Sequence, residues 1–199
     1  MPHLLRLLLP LLLLAWPALA QMPPAPPEEQ RLVPGQRDGY LVDARKGCWV
    51  WTGGMRAGTT DLDVRWSGAC PEGPAEGRGR AITSWREDGR LREMIFEGQL
   101  RNGKAEGHGT LAHMEDGEAV VLESGEYQED YLVSGRIEIP APGLVYEGGV
   151  QRGQPHGQGR LTVQGRSFEG DWQNGCLALK GGNWVAFTRP AESCRTRES

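Results

Sequence analysis

Alternation of apolar and polar positions is the main pattern along this chain. Phe96, Gly98 and Leu100 fall on one face of an extended segment, and Glu97 and Gln99 fall on the other. Gly107, Gly109 and Leu111 make a second row with the same period of two. A period of two predicts β-strands, because successive side chains on a strand point to opposite faces. Between the two rows stands Asn102-Gly103, and Asp88-Gly89 and Asp116-Gly117 stand at the neighbouring boundaries. Asx-Gly pairs favour the type I′ turn of a two-residue hairpin, which needs positive φ at both positions. The chain therefore reads as a meander of hairpins, one roughly every 22 residues.

A longer spacing is superimposed on the alternation. Trp66 is followed by Gly68, Gly73, Gly77 and Gly79, at two, seven, eleven and thirteen residues. Phe96 is followed in the same way by Gly98, Gly103, Gly107 and Gly109, and Tyr146 by Gly148, Gly153, Gly157 and Gly159. Three matches to one four-glycine spacing make an internal repeat. Glycines on one strand face leave a bare trough, and an aromatic ring from a neighbouring strand is expected to lie over it. On this reading both members of each G-x-G pair lie in the trough. Glu106, His108, His156 and Gln158 then face water.

At these residues the sequence resembles a MORN-repeat protein, whose unit places an aromatic and four glycines at this spacing. Trp66, Phe96 and Tyr146 open full copies. Phe168 opens a partial one with Gly170, Gly175 and Gly181, with Leu179 in place of the penultimate glycine. Trp51 keeps Gly53 and Gly58 and then diverges, and the stretch between Gly117 and Tyr146 reads as a degenerate unit without the glycine pair. The resemblance implies an all-β fold, an elongated single-layer antiparallel β-meander of repeated hairpins.

The ends of the chain have other compositions. Residues 1–20 combine a weakly basic start, an apolar run and Ala18-Leu19-Ala20, the pattern of a cleaved signal peptide. Residues 21–38 form a proline-rich linker expected to be an extended spacer, and residues 39–199 form the repeat domain. Removing Arg6 with the leader leaves 21 basic and 26 acidic residues, which gives no electrostatic footprint for nucleic acid or anionic lipid.

Four cysteines in an exported chain predict disulfides. Three connectivities are open, and Cys48–Cys70 with Cys176–Cys194 is favoured because each pair would staple one end of the array. No C-x-x-C spacing suggests zinc. His108, His113 and His156 read as solvated. Asp61 and Asp63 lack the rest of a calcium loop. Glu97, Glu147 and Glu169 recur after the repeat aromatics as a carboxylate ladder on the wet face. With no nucleophile elbow and no phosphate loop, neither catalysis nor a cofactor is expected. The leading expectation is an exported, non-enzymatic scaffold with a protein partner in the cell envelope. The alternative is a glycan- or lipid-binding module that displays sheet aromatics, with Trp85 and Trp184 as its candidate ligand surface.

Overall fold

Residues 22–33 and 35–197 are described by a computed structural model; the expected leader, residues 1–20, lies outside them. Two short strands, β1 (Gly39–Val42) and β2 (Trp49–Thr52), make an antiparallel hairpin. Nine further strands follow in strict chain order within one sheet: β3 (Thr60–Trp66), β4 (Gly77–Glu87), β5 (Arg90–Arg101), β6 (Lys104–Glu115), β7 (Glu118–Gln128), β8 (Tyr131–Ile139), β9 (Leu144–Gln151), β10 (Gln154–Val163) and β11 (Arg166–Trp172). A second small hairpin, β12 (Cys176–Ala178) with β13 (Trp184–Ala186), and a 3₁₀ turn (Ala191–Arg197) close the described chain. The antiparallel meander of hairpins expected from the alternation is the architecture of this protein.

The turns follow from their residues. Asp88-Gly89, Asn102-Gly103 and Asp116-Gly117 all take positive φ, between 48° and 84°. That backbone matches the right-handed twist of the flanking strands and lets each strand fold directly back on the last.

The first glycine of each G-x-G pair has a different role from the one expected. Gly77, Gly107 and Gly157 have φ of 78°, 69° and 74°, and a Cβ on any of them would meet nothing within 4 Å. They do not lie in a packed trough. In β6 the pairing with β5 jumps from Gly98↔Gly109 to Gln99↔Glu106, so Gly107 and His108 form a bulge. The same irregularity separates Gly159 from Pro155 in the β9–β10 pair. A left-handed glycine is what such a bulge requires, and it bends the strand beyond it.

Beyond the bulges the hairpin tips meet backbone from neighbouring segments. Trp51 N donates to Gly103 O at 2.8 Å, Gly103 N to Ala75 O at 2.9 Å, and Gly175 N to Pro155 O at 2.8 Å. The β1–β2 hairpin is held against these tips, with Tyr40 edge-on to both Trp49 and Trp51 and its hydroxyl on Asn102 O at 2.9 Å. The buried Asp43 carboxylate accepts from Trp66 N at 3.0 Å and ties the hairpin to β3.

Two expectations for the terminal segments now have structural answers. Cys48 bonds Cys70 and Cys176 bonds Cys194, with Cα separations of 5.4 and 5.8 Å, so each bridge closes one end of the array. Loops of this length gain about 3 kcal/mol each from closure. The proline-rich stretch is not a free spacer. Pro26 and Leu32 are buried, Leu32 N bonds Tyr40 O, and Pro24 O accepts from the Trp49 indole. Few apolar residues stand in that stretch, yet Leu32 finds a satellite core beside Met55 and Trp85.

Candidate functional site

The inner face of the sheet is organised around a single line of glycines. Gly79, Gly98, Gly109, Gly125, Gly135, Gly148, Gly159 and Gly170 are successive cross-strand partners through eight strands. Alongside runs the row Ala81, Phe96, Leu111, Glu123, Ile137, Tyr146, Leu161 and Phe168, each two residues from its glycine. A Cβ on Gly98 or Gly109 would approach the Phe96 ring to 2.6 Å, and Gly68 and Gly79 stand in the same relation to Trp66. Tyr146 covers Gly148 and Gly159. The covering ring therefore comes from the strand that carries the first glycine, two residues earlier, and reaches across to the partner glycine. For Gly79, Gly109 and Gly159, the second members of the G-x-G pairs, the ring comes from the neighbouring strand as expected, and it also covers the glycine two residues further along its own chain segment. In the last unit Leu177 lies over Gly170, and Phe168 is half-buried.

Gly125 and Gly135 belong to this line, although residues 117–146 lack a G-x-G pair as expected, with Val133 two residues before Gly135. They stand ten residues apart where the full copies have eleven, because the β7–β8 bulge inserts one residue, Val133, where the β5–β6 bulge inserts two, Gly107 and His108. Here the aromatic position is occupied by Glu123. Tyr127, two residues past the glycine, packs edge-on against Phe96 at 5.3 Å, and what a Cβ on Gly125 or Gly135 would meet first is the partner strand's backbone.

The outer face carries a row of charge. Ser67, Arg80, Glu97, Thr110, Ser124, Arg136, Glu147, Arg160 and Glu169 follow one another across the sheet. Arg80 pairs with Glu97 and Arg136 with Glu147, each at 3.3 Å, and Arg160 pairs with Glu169. The carboxylate ladder expected from the sequence is thus interleaved with arginines. Exposed pairs of this kind contribute little stability individually. Beside them runs a partly exposed apolar row, Ile82, Ile95, Ala112, Leu122 and, past Glu138, Val145, with Leu122 36% exposed.

Between the inner face, the hairpin tips and the β1–β2 hairpin lies a groove of about 350 Å³. Val50, Met94, Phe96, Leu111, Leu132 and Ile137 give it an apolar lining, into which Glu123, His113, Tyr127 and Asp130 also reach. The Tyr127 hydroxyl donates to Glu123 Oε2 at 3.2 Å, and His113 Nε2 lies 3.8 Å from Glu123 Oε1. Burial pushes the Tyr127 phenol well above its ordinary range, so it remains a donor. Desolvation raises the Asp130 carboxyl to about 7, against the opposing hydrogen bond from Ala105 N. Sequence reasoning missed this cluster. The one available signal was Glu123-Ser124-Gly125, which repeats the Phe96-Glu97-Gly98 pattern with a carboxylate in the aromatic place.

The remaining candidates are scattered. Trp85 is buried against Leu32 and Met55, and Trp184 is half-buried in β13, so the two do not form an open aromatic platform. His108 is exposed and contacts Glu126, whereas His113 and His156 are half-buried and not solvated as expected. Asp61 and Asp63 pair with Arg86 and Arg45.

With this geometry in place, comparison with known proteins adds one result. No curated protein matches the chain. The MORN repeat family model matches residues 96–112 and 146–162, each running from a covering aromatic through both glycines of its pair. Repeats of this family are generally non-catalytic modules for protein or membrane interaction. The hairpin units that open at Phe96 and Tyr146 are MORN repeats.

Proposed function

We propose that this chain is an exported, non-enzymatic scaffold of the cell envelope, and that it presents the outer face of its repeat sheet to a protein partner. The observation that carries this reading is the pairing of two rows on that face. An apolar row through Ile95 and Leu122 lies beside a row in which arginine–glutamate pairs flank Thr110 and Ser124. Apolar contact at the centre with ordered charge at the margin is how protein interfaces combine affinity with register. Export is supported by the leader-like residues 1–20 and by two disulfides, which persist in oxidising compartments.

The test is a crosslinking capture from envelope extract with the mature protein, beside Leu122→Asp and Glu123→Gln variants. A partner recovered with the mature protein and with Glu123→Gln, and lost with Leu122→Asp, supports the outer face. Equal recovery with all three refutes it. The glycan alternative has no observation in its favour, since Trp85 is enclosed.

A further inference from the structure

We infer that the groove on the inner face is a binding site for a small amphipathic amine, with the protonated nitrogen at Glu123 and the apolar body against Phe96, Met94 and Leu111. The site is separate from the outer face proposed for a protein partner and does not depend on it.

Position is the first argument. In the row beside the glycine line, seven of eight members are apolar or aromatic, and Glu123 is the exception. A carboxylate there is removed from most solvent, with its side chain 19% exposed, and the His113 imidazole at 3.8 Å is an ion-pair partner only when protonated. A carboxylate can accept about four hydrogen bonds. Glu123 receives one, from Tyr127, and His113 at 3.8 Å lies beyond hydrogen-bond reach. Most of its accepting capacity is open to the groove.

A second observation is independent of the carboxylate. Thr52 lines the opposite wall, is 2% exposed, and its hydroxyl has no hydrogen-bond partner among the described residues. Buried hydroxyls are nearly always paired, so this one holds unused hydrogen-bonding capacity beside the groove.

Size and charge then select the ligand. A volume of about 350 Å³ lies at the small end of the roughly 300–1,000 Å³ span of small-molecule pockets. Arg37 and Asp38 in the lining carry opposite charges, so the Glu123 carboxylate disfavours an anion, and a neutral hydroxyl would offer it one further donor and no charge. An ammonium supplies up to three donors and opposite charge. The Phe96 and Tyr127 rings beside the carboxylate favour a cation further.

Isothermal titration of the mature protein with three probes that share a phenethyl body tests this: phenethylamine, phenethyl alcohol and 3-phenylpropionic acid. The amine is expected to bind saturably and at least tenfold more tightly than the alcohol or the acid. Glu123→Gln, which keeps the shape and still accepts from Tyr127, is expected to lose at least tenfold in amine affinity with its melting temperature unchanged. Should that variant fail to fold, Tyr127→Phe provides the second arm: freeing a lone pair on Glu123 is expected to tighten amine binding a few fold. Equal affinity for the three probes, no saturable binding of the amine, an unchanged affinity in Glu123→Gln, or weakened binding in Tyr127→Phe would each overturn the assignment.

Discussion

Substituting Gly109 by alanine tests the packing at the centre of a repeat. Gly109 has an ordinary backbone conformation, so an added Cβ meets no torsional penalty. It would instead lie 2.6 Å from both Cε2 and Cζ of Phe96, where carbon atoms prefer about 3.5–4.0 Å. The ring must move by roughly 1 Å, and it has little freedom to do so. Phe96 is 7% exposed, lies equally close to the Gly98 site, and is wedged edge-on against Tyr127. Overpacking of this kind costs about 1–3 kcal/mol. For a domain of this size, that lowers the melting temperature by roughly 2–4 °C per kcal/mol. Phe96→Ala alone should cost about 3–5 kcal/mol through the cavity it leaves. In that background the same Gly109→Ala change has room, and alanine restricts the unfolded chain more than glycine does. Its effect should fall to zero or become stabilising by a few tenths of a kcal/mol. Urea denaturation of the four proteins closes the cycle. An additive cycle, or a Gly109→Ala variant as stable as the parent, would refute the pairing of ring and glycine.

Gly107 should respond to backbone torsion and not to volume: Gly107→Asn, which tolerates positive φ, should cost less than about 1 kcal/mol, and Gly107→Val clearly more, both read from denaturation midpoints. Asp130 is an acid whose folded pKa is raised, so the native state holds its proton to higher pH than the unfolded chain. Its contribution to stability therefore falls between about pH 4 and 7, by about 2 kcal/mol after allowing for partial exposure, and Asp130→Asn should flatten that decline in a pH series of thermal melts. Cleavage of the oxidised protein at methionine should separate the Cys48–Cys70 piece from the Cys176–Cys194 piece, because Met94 and Met114 lie between them. The cut at Met55 should leave two fragments joined until reduction, and a product bridged across Met94 would refute the pairing.

The hairpins were legible because their turns depend on local chemistry: Asn102-Gly103 and Asp116-Gly117 fix backbone torsions within two residues. The roles of Gly107 and Gly109 were not, since the same residue type serves one position for its positive φ and the other for its lack of a side chain. Only the register separates the two. The same limit hid the groove. Gly125 and Gly135 fall out of the repeat spacing by a single residue, and Glu123 becomes anomalous only once its cross-strand partners are Leu111 and Ile137. The docking of Leu32 depends on distant Met55 and Trp85, which no local pattern announces.

The unbroken glycine line also determines how such a molecule can change length. Adjacent strands lie about 4.8 Å apart, and a hairpin contributes two, so a whole repeat can be inserted or removed in steps of roughly 10 Å. The line closes up again after such a step, and every covering ring keeps its own pair of glycines. A single strand cannot be exchanged in this way, since every later strand would then run in the reverse direction. Length in this architecture is therefore quantised, and each feature has an address counted in hairpins. The Glu123 site lies on the fifth strand of nine, midway between the two disulfide-closed ends. Adding a repeat on one side would shift that address relative to one end and leave its chemistry intact.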